Sequence, residues 1–243
     1  MRVVIFDLDG TLLTGDTDEY WLRFLIDKGL LDHGEIERRS QDIQTRYAQG
    51  LASAEEFCFF YLGLLRGRSR AELDRLYTEF LRTTIVPDLP QAALDLLRTE
   101  RPRADLLMLS TATNAFLAGP IARHLGFEHM IATDPEENAD GSFTGGCVGL
   151  PNMRAHKVTR VDAWLAERGQ ALDDFAESWF YSDSRNDLPL LSRVTHPVVV
   201  DPDPELAAAA LAHGWPIIRI HPFVESVEQR SAKSVVPAQA RTQ

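Results

Sequence analysis

Short apolar runs, each ending in polar or acidic residues and separated by helix-like segments, constrain this 243-residue chain more than any other feature. The first is Arg2-Val3-Val4-Ile5-Phe6, apolar at successive positions and rich in β-branched residues. A strand with one wet face alternates apolar with polar residues, so an unbroken run predicts a strand covered on both faces. Similar runs follow at Ala104–Thr111, His129–Thr133, Ser178–Asp183 and His196–Asp201, at intervals that leave room for helices. Strands alternating with helices give a parallel, doubly wound, Rossmann-like α/β sheet. Ligands of such sheets sit outside the carboxyl ends of the strands.

One stretch breaks the alternation. Residues 16–84 show no strand pattern, but Trp21, Phe24 and Leu25 recur at i, i+3, i+4. Phe57, Phe60, Tyr61, Leu64 and Leu65 extend the same period, as do Leu73, Leu76, Tyr77, Phe80 and Leu81. Ser53 with Glu56 has the spacing of a capping box. The organisation expected is therefore a discontinuous α/β core, residues 1–14 and 85–228, with a helical cap of residues 15–84 inserted after the first strand. The α/β pattern resumes at Val86, with a helix start near Pro90 and Gln91. Asp140-Gly141 predicts a small hairpin, residues 154–168 a helix, and Trp215–Ile220 an edge strand. Asp203-Pro204-Glu205 opens an Ala-rich helix, and residues 229–243 form a polar tail expected to be disordered.

The first run delivers Asp7 and Asp9 to a strand's carboxyl end, followed by Gly10 for a sharp turn and Thr11. Side chains two apart on an extended segment point the same way. Two acids there ionise together only at a cost, so a hard divalent cation such as Mg2+ is their natural partner. Ser110 with Thr111, Lys157, and Asp183 with Asp187 fall at further strand ends or helix starts. Taken singly, three have a plain structural explanation: Lys157 a solvated surface lysine, Ser110 a strand-end cap, Asp187 a first-turn acid; Asp183, closing an aromatic strand, is the least easily explained that way.

Asp7-Leu8-Asp9-Gly10-Thr11-Leu12 closely resembles the first motif of the haloacid dehalogenase superfamily, and Ser110, Lys157 and the segment Asp183–Asp187 match its other motifs in order. The helical insert, Thr144-Gly145-Gly146 and Tyr181–Leu191 resemble its phosphoserine-phosphatase-type branch. The resemblance implies a Mg2+-dependent phosphomonoesterase working through an aspartyl-phosphate. In that reading Asp7 is the nucleophile, Asp9 the general acid and base, Ser110 a phosphoryl-oxygen donor and Lys157 the cation beside the phosphate. Asp7, Asp9 (through its carbonyl), Asp183 and Asp187 would hold the metal, and Thr111 and Asn186 would touch substrate. Asp16 falls where the branch reads a substrate amino group, and it is equally placed to cap the first inserted helix. Where the branch carries an arginine for a substrate carboxylate, this chain has Glu55-Glu56-Phe57-Cys58-Phe59-Phe60-Tyr61. That departure points away from phosphoserine and toward an amine-bearing ester with an apolar part, such as histidinol phosphate, with Phe59 and Phe60 lining the pocket. A phosphotransferase or phosphomutase shares the aspartyl-phosphate. A non-catalytic phospho-ligand-binding or signalling protein is the alternative from another class, disfavoured by the complete motif set.

A net charge of −11 argues against nucleic-acid and anionic-membrane partners. Cys58 and Cys147 lack metal-like spacing and fit a reducing compartment. No apolar run reaches the roughly 20 residues of a membrane span, and the first strand begins at residue 2, so the expected location is the cytoplasm.

Overall fold

Val3, Val4, Ile5 and Phe6 are all fully buried, because β1 (Arg2–Phe6) lies in the middle of a sheet with helices on both faces. The computed structural model describes residues 1–221. β1 pairs in parallel with β2 (Leu106–Asn114) on one side and with β6 (Glu177–Ser182) on the other. β3 (His129–Thr133) extends the sheet beyond β2, while β7 (His196–Val200) and β8 (Ile217–Ile218) extend it beyond β6. The order β3-β2-β1-β6-β7-β8, parallel throughout, is the expected doubly wound α/β sheet. The chain leaves β1 toward β2 and returns to it at β6, so a crevice opens at the carboxyl ends of these strands.

Alternation along β1 divides the core. Val4 and Phe6 pack on one face with Leu109, Tyr181 and Val198, beneath α6 (Gln91–Glu100) and α7 (Ala115–His124). Val3 and Ile5 face the opposite layer with Met108, Phe180 and Val199. That layer holds α8 (Ala155–Ala166), α9 (Leu188–Leu191) and α10 (Pro204–His213). Each such fully buried aliphatic side chain stabilises the fold by about 1.5–3 kcal/mol.

The segment after β1 is helical: α1 (Thr17–Asp27), α2 (His33–Ala48), α3 (Ala54–Leu62) and α4 (Arg70–Phe80). Both oxygens of the Ser53/Glu56 capping box are satisfied, and Ser69 with Glu72 makes a second box opening α4. Trp21 is fully buried among Phe24, Tyr77, Phe80 and Phe116, with ring centroids 5.0–6.1 Å away, so α1 and α4 are anchored on α7. A hairpin of β4 (Pro135–Glu137) and β5 (Phe143–Cys147) turns at Asp140-Gly141 and packs against α3.

Three expectations are corrected. The chain stays helical past Val86, through a π-helical turn at Leu81–Ile85 and then α5 (Val86–Asp88). Pro87 lies just past the π-helical turn, and the helix ends one residue later at Asp88. β2 runs three residues beyond Thr111, because Asn114 still pairs with Thr133 after an irregularity in register. The edge strand within Trp215–Ile220 is only Ile217–Ile218. The tail expected from residue 229 lies outside the described residues.

Candidate active site

Strand register assembles the site. Phe6 pairs with Leu109 and with Tyr181, so the residue after each, Asp7, Ser110 and Ser182, stands at the same level of the sheet. The Asp7 N–H is fixed by the Tyr181 carbonyl at 2.9 Å. Beyond these ends lies a cavity of about 370 Å3, whose wall includes Asp7, Asp9, Thr111, Lys157, Asp183 and Asp187.

Lys157 is 2 % exposed, and its Nζ donates to Asp7 Oδ1 at 3.1 Å and to Asp187 Oδ2 at 2.7 Å. It projects from the first turn of α8, whose entry at Arg154 adopts a positive φ of 52°. Burial alone disfavours the ammonium, but Asp187 and Asp7 outweigh it and push its pKa up. Ser182 Oγ donates to the same Asp187 Oδ2 at 2.8 Å, so Asp187 is braced from behind. The surface-lysine explanation for Lys157 is excluded by this burial.

Asp9 is gripped on both oxygens. Thr17 donates to Oδ1 from its N–H at 2.7 Å and also from its hydroxyl, while Thr113 Oγ1 donates to Oδ2 at 2.6 Å. Burial raises the Asp9 pKa against the lowering effect of these donors. Asp7 is pushed well above the usual carboxylate range by burial; Lys157 pulls it back in part, and Asp187, Asp183 and Asp9 push it up further. Burial also lifts Asp183 to about 7. Thr11 accepts from the Asp183 N–H and donates to its Oδ1, both at 3.0 Å, which ties the first and last motifs together. Gly10 makes room: a Cβ there would stand 2.1 Å from Asp183 Oδ2.

The other expected residues divide. Thr111 and Asn186 lie on the cavity wall. Ser110 is fully buried and not on that wall; its hydroxyl accepts from Asn152 Nδ2 at 3.2 Å. Asp16 also reaches the wall, and its Oδ1 caps α1 by accepting from the Glu19 N–H at 2.9 Å. Phe59 and Phe60 do not line the cavity. Phe59 is 44 % exposed and Phe60 packs near Arg39, whereas Phe57, two residues earlier on α3, is on the wall. At 100° per residue Phe59 projects on nearly the opposite side of the helix from Phe57. Thr17, Thr113, Asn152 and Tyr47 were not singled out from sequence. Thr113 lies in the extension of β2, and the other three follow no motif spacing.

The donor set suits Mg2+, but not as a cage of four carboxylates. Among the described residues no group of three or more His, Cys, Asp or Glu side chains is arranged to hold a metal. Asp9 is turned to Thr17 and Thr113 and Asp187 to Lys157, leaving Asp7 and Asp183 as the side-chain oxygens open to a cation. Mg2+ is ordinarily held by one or two carboxylates with waters and substrate oxygens. Asp7 and Asp183 repel one another, and Lys157 pairs with Asp7 but makes no ion pair with Asp183, so a divalent cation between the two fits.

An open parallel sheet with paired acids and a buried lysine at its carboxyl ends is a site built for an anionic ligand. The chain belongs to the haloacid dehalogenase-like hydrolase family, whose model matches residues 4–192. The expected phosphoserine-phosphatase-like kinship within it is borne out. The chain is 37% identical over 217 residues to a protein named histidinol-phosphatase from Neisseria meningitidis serogroup C (strain 8013), covering 89% of this chain and 98% of that one. A crystal structure of a protein of unknown function from Bordetella pertussis Tohama I is 47% identical with a TM-score of 0.86, over 90% of this chain and 99% of that one. A substrate-bound phosphoserine phosphatase superposes with a TM-score of 0.62 at 15% identity, over 96% of this chain and 98% of that one, and so shares the fold. No helix among the described residues is long and apolar enough to cross a membrane.

Proposed function

We propose that this chain hydrolyses a small phosphomonoester through an aspartyl-phosphate on Asp7, with Mg2+ as cofactor and an amine-bearing ester such as histidinol phosphate as substrate. The observation that carries the reading is the buried bridge of Lys157 between Asp7 and Asp187 at the carboxyl ends of the central strands.

Bound Mg2+, held by Asp7 and Asp183, would neutralise phosphoryl charge and orient the ester. Asp7 attacks phosphorus through a carboxylate oxygen while Lys157 favours its ionised form against burial and faces the charge that spreads over the phosphoryl oxygens. Thr111, on the wall, is placed to donate to one of those oxygens, with Ser110 and Asn152 supporting it from behind. Asp9 gives its proton to the leaving oxygen and then takes one from the attacking water. Burial favours its protonated form, and the threonine clamp fixes its direction, so one group serves both half-reactions. The helical segment, read as a cap, limits water around the phosphoryl group.

The relative's name supports the histidinol phosphate reading, as does the absence, among the described residues, of a spare cation on the cavity wall for a substrate carboxylate. The test is phosphate release from a panel of small phosphomonoesters, with and without Mg2+, by wild type and Asp7→Asn. Turnover that needs the metal and falls at least a thousandfold in Asp7→Asn is expected. Folded protein that turns over no ester sinks the reading.

A further inference from the structure

We propose that Asp18 determines specificity by pairing with a cationic group on the leaving alcohol, so that the cavity selects phosphate esters of amino alcohols over phosphorylated amino acids. The inference rests on the phosphomonoesterase reading and adds to it the residue and the substrate class.

Three acids open α1, and two are already committed. Asp16 caps the helix through the Glu19 N–H. Glu19 Oε1 accepts from the Tyr61 hydroxyl at 2.7 Å and from Ser40 Oγ at 3.2 Å. Asp18 has only Asn114 Nδ2 on Oδ1, at 3.3 Å, and Oδ2 makes no hydrogen bond among the described residues. Its carboxyl is pushed well above the usual range by burial and then by Asp16, Asp9 and Glu19, all of them anions. No cation of the described residues makes an ion pair with it, so a ligand cation is what would let it ionise.

The surroundings set the rest of the ligand. Asp18, Phe57 and Met153 are shared between the main cavity and a small adjoining recess of about 20 Å3. A short apolar body there would sit against Phe57 and Met153 with its charged end at Asp18. Among the described residues Lys157 is the single lysine or arginine on the cavity wall, and it is held at the phosphoryl end by Asp7 and Asp187. The Arg154 guanidinium lies 4.6 Å over the Tyr47 ring, and its Nε donates to Asn186 Oδ1 at 3.3 Å. A substrate carboxylate beside Asp16 and Asp18 thus meets like charge and no counter-ion, which disfavours it.

The experiment compares kcat/KM for 2-aminoethyl phosphate, its neutral analogue propyl phosphate, histidinol phosphate and O-phospho-L-serine, using wild type, Asp18→Asn and Asp18→Glu with saturating Mg2+. Wild type is expected to favour the aminoethyl over the propyl ester by at least tenfold, and histidinol phosphate over phosphoserine by more. Asp18→Asn should bring the aminoethyl-to-propyl ratio near one, chiefly through KM, and Asp18→Glu should recover part of it. A wild-type ratio near one overturns the inference without any variant being made. A ratio unchanged in Asp18→Asn also overturns it. Wild type inert toward all four esters and toward p-nitrophenyl phosphate overturns instead the phosphomonoesterase reading on which this one stands.

Discussion

Gly10 lies directly against Asp183, and its backbone, at φ +69°, is one that side-chain-bearing residues adopt only under strain. Gly10→Ala adds a methyl group that Asp183 must vacate space for, so both stability and activity should fall. The expected outcome is about 1–3 kcal/mol lost in urea unfolding. Mg2+-dependent turnover should drop at least a hundredfold beyond what the lost stability explains. Lys157→Met tests the opposite case, a missing charge. It leaves Asp7 and Asp187 buried without their shared cation, a change that in buried pairs costs about 3–5 kcal/mol. The Asp7 and Asp9 positions were legible in the hexapeptide around them. The choice of Phe57 over Phe59 was not, because an aromatic run such as Phe57–Tyr61 covers more than half a helical turn and only packing fixes its phase. Phe59→Ala should accordingly leave turnover unchanged and shift stability by under about 0.5 kcal/mol.

Among the elements, strands announced themselves best. Continuous burial makes each a solid apolar run, and the polar residue that ends it becomes the residue at the crevice. Where the end was irregular the reading stopped short: β2 continues through Thr113 and Asn114, which carry polar side chains and so look like a loop. Those are the residues that hold Asp9 and Asp18. Helix starts were legible for the same reason that caps work, a Ser or Asp oxygen meeting free N–H groups. The Ser69 box lies where α4 meets the β5 hairpin, through an isolated bridge between Ser69 and Ser142. Ser69→Ala should cost about 1 kcal/mol, read as a Tm lowered by roughly 2–4 °C.

For the whole molecule, acid burial makes stability depend on pH. A carboxyl whose folded pKa is raised binds more protons folded than unfolded, so its contribution is fully present below about 4 and lost as pH rises through the folded value. Asp183, lifted to about 7, therefore weakens the metal-free protein between pH 5 and 8. Asp183→Asn should stabilise metal-free protein at pH 8 by on the order of 1–3 kcal/mol, after allowance for solvent screening, and by less at pH 5. Thermal melts of both proteins across that range, in a chelator, check the sign. With Mg2+ the order should reverse, because the wild-type carboxylate then gains a partner that Asn lacks.

Six carboxylates and one ammonium face the same cavity. An incoming phosphate ester is itself an anion, and the charge these acids carry opposes its entry. On the Mg2+-dependent reading proposed above, binding should therefore be ordered, with the divalent cation entering first and the ester following. Product inhibition inherits that sequence, so inorganic phosphate should compete with the ester only when Mg2+ is present, and a chelator should release both together.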